Sequence, residues 1–118
     1  MHKAYKVFVV EDGCLKNLFK GIEGTRTIEF NTWLRAENKM SVDGSGQDPY
    51  LTGIHCLLDK DKAIDYLDNF RTDKNRIVLE VKVDGIRQKP TNRNVYLADW
   101  LYVDKDKFDT KLKEVISY

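Results

Sequence analysis

No stretch of this chain approaches the roughly 20 consecutive apolar residues that a membrane-spanning helix needs, and none of its 118 residues falls in a low-complexity segment. The N-terminal run M-H-K-A-Y-K-V-F-V-V is too short in its apolar part for a secretory signal and has no small-residue cleavage site. Cysteine is scarce. Cys14 and Cys56 could form a single bridge, and without a secretory signal the expectation is free thiols in a reducing cytoplasm. An excess of one charge sign is also missing. Twenty Lys and Arg stand against nineteen Asp and Glu, interspersed, for a net charge of +1. That balance argues against the general basic footprint of a nucleic-acid-binding chain, so nucleic acid is not an expected partner.

The signatures of common chemistry are absent too. There is no P-loop, no G-x-G-x-x-G, no G-x-S-x-G and no pair of metal-binding carboxylates. His2, Cys14, His55 and Cys56 match no compact zinc spacing. D-K-D-K occurs twice, but without the glycine and distal glutamate of a calcium loop. No metal and no cofactor are expected.

What the chain does have is the patterning of one folded domain over residues 1–118. That length buries a core without disulfides or metal. Residues 4–10, A-Y-K-V-F-V-V, have the β-branched and aromatic content of a strand, and Glu11-Asp12-Gly13 reads as a turn. Leu15, Leu18, Phe19 and Ile22 then fall at helical spacing. Thr25, Thr27 and Glu29 alternate with Ile28 and Phe30 as a strand, which runs on to Trp33 or gives way to a helical turn over 32–36. Gly44, Ser45, Gly46 and Pro49 mark an exposed loop over 39–49.

The second half is clearer. Residues 51–58 predict a buried strand. Asp59 or Asp61 then caps a helix with Ala63, Ile64, Leu67 and Phe70 on one face, closed by Asn75. Residues 76–83 alternate cleanly, with Ile77, Leu79, Val81 and Val83 facing one way and Val78, Glu80 and Lys82 the other. Asp84-Gly85 is a tight turn, and 94–103 is a strand with a bulge or break at Ala98-Asp99. A last helix buries Phe108, Leu112, Val115 and Ile116. The order β, short α, β, loop, β, α, β, β, α predicts an α+β fold, a mixed or antiparallel sheet with two to three helices packed on it.

Three groups of residues invite functional readings. Gly53-Ile54-His55-Cys56 puts a histidine after the glycine-rich loop and before a helix. His55 and Cys56 point to opposite faces of a strand, so they cannot act as a pair. Arg87, Lys89 and Arg93 form a basic run suited to phosphate or carboxylate, with Tyr96, Trp100 and Tyr102 just beyond. These aromatics face away from Val95, Leu97 and Leu101, ready to stack on a base or dock a protein. A solvated hairpin with Trp100 covering one edge of the core is the plainer reading. Glu80 is the third, and a surface ion pair is its default role.

Trp33-Leu34-Arg35-Ala36, Tyr50-Leu51-Thr52-Gly53-Ile54-His55, Ala63 with Tyr66-Leu67, Ile86-Arg87-Gln88-Lys89 and Val95-Tyr96-Leu97-Ala98 occur here in that order. The series W-x-x-A, Y-x-x-G-[FI]-H, A-x-x-Y-L, R-x-K and V-x-L-A resembles small phage and prophage proteins of unknown function, over residues 30–103. The resemblance implies a phage setting, in which small accessory proteins act on host functions, including host defence. A weaker similarity is to ADP-ribosyltransferase-like folds. It implies NAD as substrate, with Tyr50 and Glu80 in the roles of the mid-chain aromatic and the late glutamate. The chain departs from that pattern in having no matching His or Arg in its first strand.

The expectation is therefore an accessory protein that binds a host protein or a small phosphate-bearing ligand. Its surface would be built from Trp33, Tyr50, His55, Arg87, Lys89 and Arg93. The alternatives are NAD-dependent ADP-ribosyl transfer through Glu80 and a self-assembling particle component. Exposed Trp100 or Tyr102 would also suit a homodimer.

Overall fold

The computed structural model describes residues 1–17, 27–38, 40–41, 50–68 and 76–116. Its longest ladder joins β1 (His2–Glu11) to β7 (Arg76–Asp84), antiparallel, from His2↔Val83 to Val9↔Arg76. The alternation of β7 decides which side is core. Ile77, Leu79, Val81 and Val83 are buried, and Ala4 and Phe8 join them from β1. Val7 and Val9 point the other way and are buried as well, where α1 (Lys60–Asp68) lies against β1.

β1 turns back into β2 (Cys14–Asn17) through the two-residue loop Asp12-Gly13. Both residues have positive φ, 52° and 74°. This is the backbone of the primed turn whose twist matches a hairpin. On the other side, β7 pairs with β10 (Trp100–Tyr102), and β10 with β3 (Trp33–Arg35), giving the order β2-β1-β7-β10-β3. A second sheet runs β6 (Ile54–Cys56), β9 (Asn92–Ala98), β8 (Arg87–Lys89). It is tied to β1 by reciprocal bonds between Tyr5 and Leu57, 2.7 and 2.8 Å. β4 (Met40–Ser41) and β5 (Tyr50–Leu51) form a short ladder of their own.

The expected α+β fold is corrected by these elements. Among the described residues there are ten strands and two helices, and the architecture is mainly β, an antiparallel sheet curled against a smaller one. The physical reason is that many of the strands are only two or three residues long, too short to display a period. Leu15, read as the first residue of a short helix or turn, lies in the strand Cys14–Asn17 because the Asp12-Gly13 turn sends the chain back along β1. The helix expected through Ile22 otherwise lies outside the described residues, as do the loop at 42–49, Phe70 and Asn75. Of the strand expected from Thr25 to Phe30, residues 25 and 26 lie outside the described residues, and the described part pairs with β2 through the bridge Lys16↔Thr27. Residues 51–58 are not one strand. They break at Gly53, where a Cβ would lie 2.8 Å from the Ala98 carbonyl oxygen.

Other expectations hold. Asp59 caps α1, its Oδ1 accepting from the amides of Asp61 at 2.8 Å and Lys62 at 3.3 Å. Asp104 does the same for α2 (Lys105–Ile116), accepting from the Asp106 amide at 2.8 Å. Phe108 of α2 is buried and stacks on Phe30, centroids 5.1 Å apart. The break at Asp99 separates β9 from β10 and carries the chain from the small sheet to the large one. No helix among the described residues is long and apolar enough to cross a membrane.

Candidate functional site

Residues that are direct partners in a ladder share a face, and alternate residues along a strand do too. Applied to β1, β7, β10 and β3, this assembles an outward face opposite Val81, Val83 and Leu101. One row crosses four strands as Lys3, Lys82, Tyr102 and Trp33. The next row, two residues along, is Asp84, Trp100 and Arg35. Tyr5 and Glu80 pair on the other side of the first row.

Trp33 and Trp100 are each 40% exposed, a large exposure for the largest apolar side chain. Trp33 leans on Tyr102 with centroids 5.5 Å apart and planes inclined at 54°. The Lys82 ammonium sits 5.3 Å from the Tyr102 centroid, and the Arg35 guanidinium 5.9 Å from that of Trp100. Neither cation has a carboxylate partner among the described residues. The face thus carries rings with cations held beside them.

Glu80 closes one side. Its carboxylate takes Lys107 at 2.8 Å and Lys3 at 3.7 Å. The hydrogen bond from Lys107 is the largest cause holding Glu80 below the usual carboxylate range, and the same bond raises Lys107. Two hollows flank Glu80. A small one of about 150 Å³ lies among Lys3, Lys82, Tyr102, Asp104 and Lys107. A larger one of about 510 Å³ opens toward Tyr5, Val78, Lys60 and Lys111, between the helices and the sheet.

The six residues named from the sequence separate into several places. Trp33 belongs to the aromatic face. His55 and Lys89 meet on the small sheet, His55 Nε2 to Lys89 Nζ at 3.2 Å. An ammonium only donates, so this contact makes Nε2 the acceptor. Tyr50 is half-buried in β5, and Arg93 is exposed in β9. Arg87 turns inward. Its guanidinium donates to Asp99 Oδ1 at 2.9 Å and to the carbonyls of Thr52 at 2.6 Å and Leu51 at 3.2 Å.

Comparison with family models, curated proteins and solved structures finds no match for this chain.

Sequence reasoning singled out Trp100 and Tyr102 as outward aromatics, and both lie on the face. Tyr96, grouped with them, packs instead against the core from the small sheet. Lys3, Arg35, Lys82 and Lys107 were missed as members of a site. Lys82 was visible as an outward residue of its strand, but nothing in the sequence paired that strand with 100–102 on one side and 2–11 on the other. Among the described residues, no three His, Cys, Asp or Glu gather where a metal ion could be held.

Proposed function

We propose that this chain acts by binding, as a small accessory protein of the phage type, and that it takes a phosphate-bearing ligand on the outward face of β1, β7, β10 and β3. The observation that carries this reading is the row Lys3, Lys82, Tyr102, Trp33, in which two cations stand beside two rings with solvent on one side. A planar base stacks on an aromatic ring, and a neighbouring ammonium or guanidinium takes the phosphate. The small hollow at Tyr102, edged by Lys3, Lys82 and Lys107, supports a phosphate position beside the ring.

Trp33 and Trp100 are the two tryptophans of the chain. Both lie on this face, so intrinsic tryptophan fluorescence reports on it and on little else. Titration with purine and pyrimidine mononucleotides should quench or shift that emission saturably. Lys82→Ala and Arg35→Ala, at exposed positions, should weaken the response without altering the circular dichroism. Emission that stays unchanged at millimolar nucleotide would end the reading in favour of a host protein partner.

One observation favours an enzyme. Glu80 borders both hollows and lies across from Tyr5. NAD-dependent ADP-ribosyl transfer would use that carboxylate, held ionised by its lysines, to bind ribose hydroxyls. Glu80→Gln should abolish any NAD-dependent mass increase on a host protein; a mass increase that persists in Glu80→Gln removes Glu80 from the chemistry.

A further inference from the structure

We infer that the ligand of the aromatic face is a single-stranded nucleic acid, several linked nucleotides lying across β1, β7, β10 and β3. This rests on the binding reading above and names the polymer that fits it.

The first argument is extent. Adjacent strands are about 4.8 Å apart, so a row over four strands is roughly 14 Å long. Along it stand two rings, Tyr102 and Trp33, with Trp100 in the adjoining row. A mononucleotide covers one ring and leaves the others in water. Successive bases of one strand cover all three.

The second argument is composition. The outward positions of the two rows and of the flanking Tyr5–Glu80 pair are Lys3, Tyr5, Glu80, Lys82, Asp84, Trp100, Tyr102, Trp33 and Arg35. Every one is aromatic or charged, and the aliphatic residues of this side, Val7, Val9 and Val78, come farther along β1 and β7, away from the tryptophans. Protein-docking surfaces have an apolar centre from which charged residues, lysine above all, are depleted. Sites for single strands combine stacking rings with cations that follow the backbone.

The third argument is charge at the site itself. Lys3, Lys82, Lys107, Arg35 and the N-terminal ammonium stand here against Glu80, Asp84 and Asp104. The carboxylates are already engaged. Glu80 holds two lysines, Asp84 faces the N-terminus at 3.7 Å, and Asp104 caps α2. Lys82 and Arg35 lie over rings with no carboxylate taking them among the described residues, so their charge is available to phosphate. A net charge of +1 for the whole chain does not conflict with this, because the cations named at this face outnumber its carboxylates. Projecting rings need unstacked bases, which a duplex does not offer.

The test uses the full chain and fluorescence anisotropy. Labelled ten-nucleotide single strands of DNA and RNA are compared with the same sequence as a duplex and with mononucleotide as competitor. A single strand should bind at least tenfold more tightly than either. Tyr102→Ala should weaken it about 5- to 150-fold, the range for losing one stacked base. Tyr102→Phe keeps the ring and should keep the affinity. Lys82→Ala should lower the slope of log affinity against log salt by about 0.7, the value for one phosphate contact on a single strand. Mononucleotide binding as tight as the oligonucleotide would overturn the inference and leave the binding reading standing. Equal binding of duplex, or a slope unmoved by Lys82→Ala, would also overturn it. Absence of binding to both nucleotide and oligonucleotide would remove inference and reading together.

Discussion

At the scale of single residues, Lys6 is the costliest choice in the core. The alternation of β1 points it inward between Ala4 and Phe8, and it is 3% exposed. Its ammonium donates to the His55 carbonyl at 2.6 Å and lies 5.6 Å from the Phe8 ring centroid. Burial lowers its pKa from 10.5 to about 8, an effect partly opposed by Cys56. Burial raises the Cys56 thiol from 9.0 to about 11. The two act on stability with opposite sign. Because Lys6 is depressed in the folded state, its contribution is fully present above pH 10.5 and is lost as pH falls through about 8. Because Cys56 is raised, its contribution is present below pH 9.0 and is lost as pH rises through about 11. Stability should therefore climb from pH 8 to about pH 9, where only Lys6 is titrating, and then flatten. Below pH 8 the buried ammonium costs about 3 kcal/mol at 1.36 kcal/mol per pKa unit. Lys6→Met keeps the length of the stem and removes the charge. Its thermal midpoint at pH 7 should equal or exceed that of the parent, and the climb between pH 8 and 9 should disappear. A Lys6→Met protein that still shows the climb would refute this assignment.

Elements here are short, and their ends matter more than their middles. α1 is nine residues long, below the length at which a helix is stable alone in water. Its start is fixed by the Asp59 carboxylate, and Asp59→Ala should cost about 1 kcal/mol in a urea melt. Asp59→Asn should recover most of it, since the amide oxygen also accepts; equal losses in the two variants would mean that the cap is not the cause. The same local chemistry explains what the sequence made legible. The Asp59 cap, the Asp12-Gly13 turn, the strict alternation of 76–83 and the break at Asp99 each rest on residues a few positions apart. What stayed hidden depends on distant partners. Residues 51–58 read as one buried strand, because the backbone that crowds Gly53 comes from Ala98. Leu15 reads as the first residue of a helix until β1 is known to lie beside it. At the candidate site, outward Trp100 and Tyr102 were legible from alternation. The cations beside them were not, because β7, β10 and β3 are neighbours in space and far apart in sequence.

For the whole molecule, the decisive problem is how the small sheet is held against the large one, and Arg87 supplies much of the answer. The chain leaves β7 through Gly85, at φ 65°, and enters the small sheet; it returns through Asp99. Asp99 is bonded in every direction at this crossing. Its amide donates to the Asp84 carbonyl at 3.1 Å, its carbonyl accepts from the Ala36 amide at 2.8 Å, and its carboxylate accepts from Arg87 and from Asn38 Nδ2 at 3.1 Å. Arg87 extends the knot to Thr52 and Leu51, so one planar fork gathers β8, the β9–β10 crossing and the end of β5. A lysine cannot reproduce it, because an ammonium is a point donor and the acceptors are spread over a plane. Arg87→Ala and Arg87→Lys should each destabilise the protein by about 1–3 kcal/mol, the range for losing hydrogen bonds from a charged donor. Ligand affinity at the aromatic face should be unchanged in the fraction that remains folded, since β10 and β3 are still paired. This outcome separates two roles for the same residue. Lost stability with intact binding makes Arg87 the clasp between sheets, whereas lost binding at intact stability would return it to the ligand surface expected from its place in a basic run. The bonding pattern favours the clasp, because two backbone carbonyls and a carboxylate already occupy the fork that a phosphate would need.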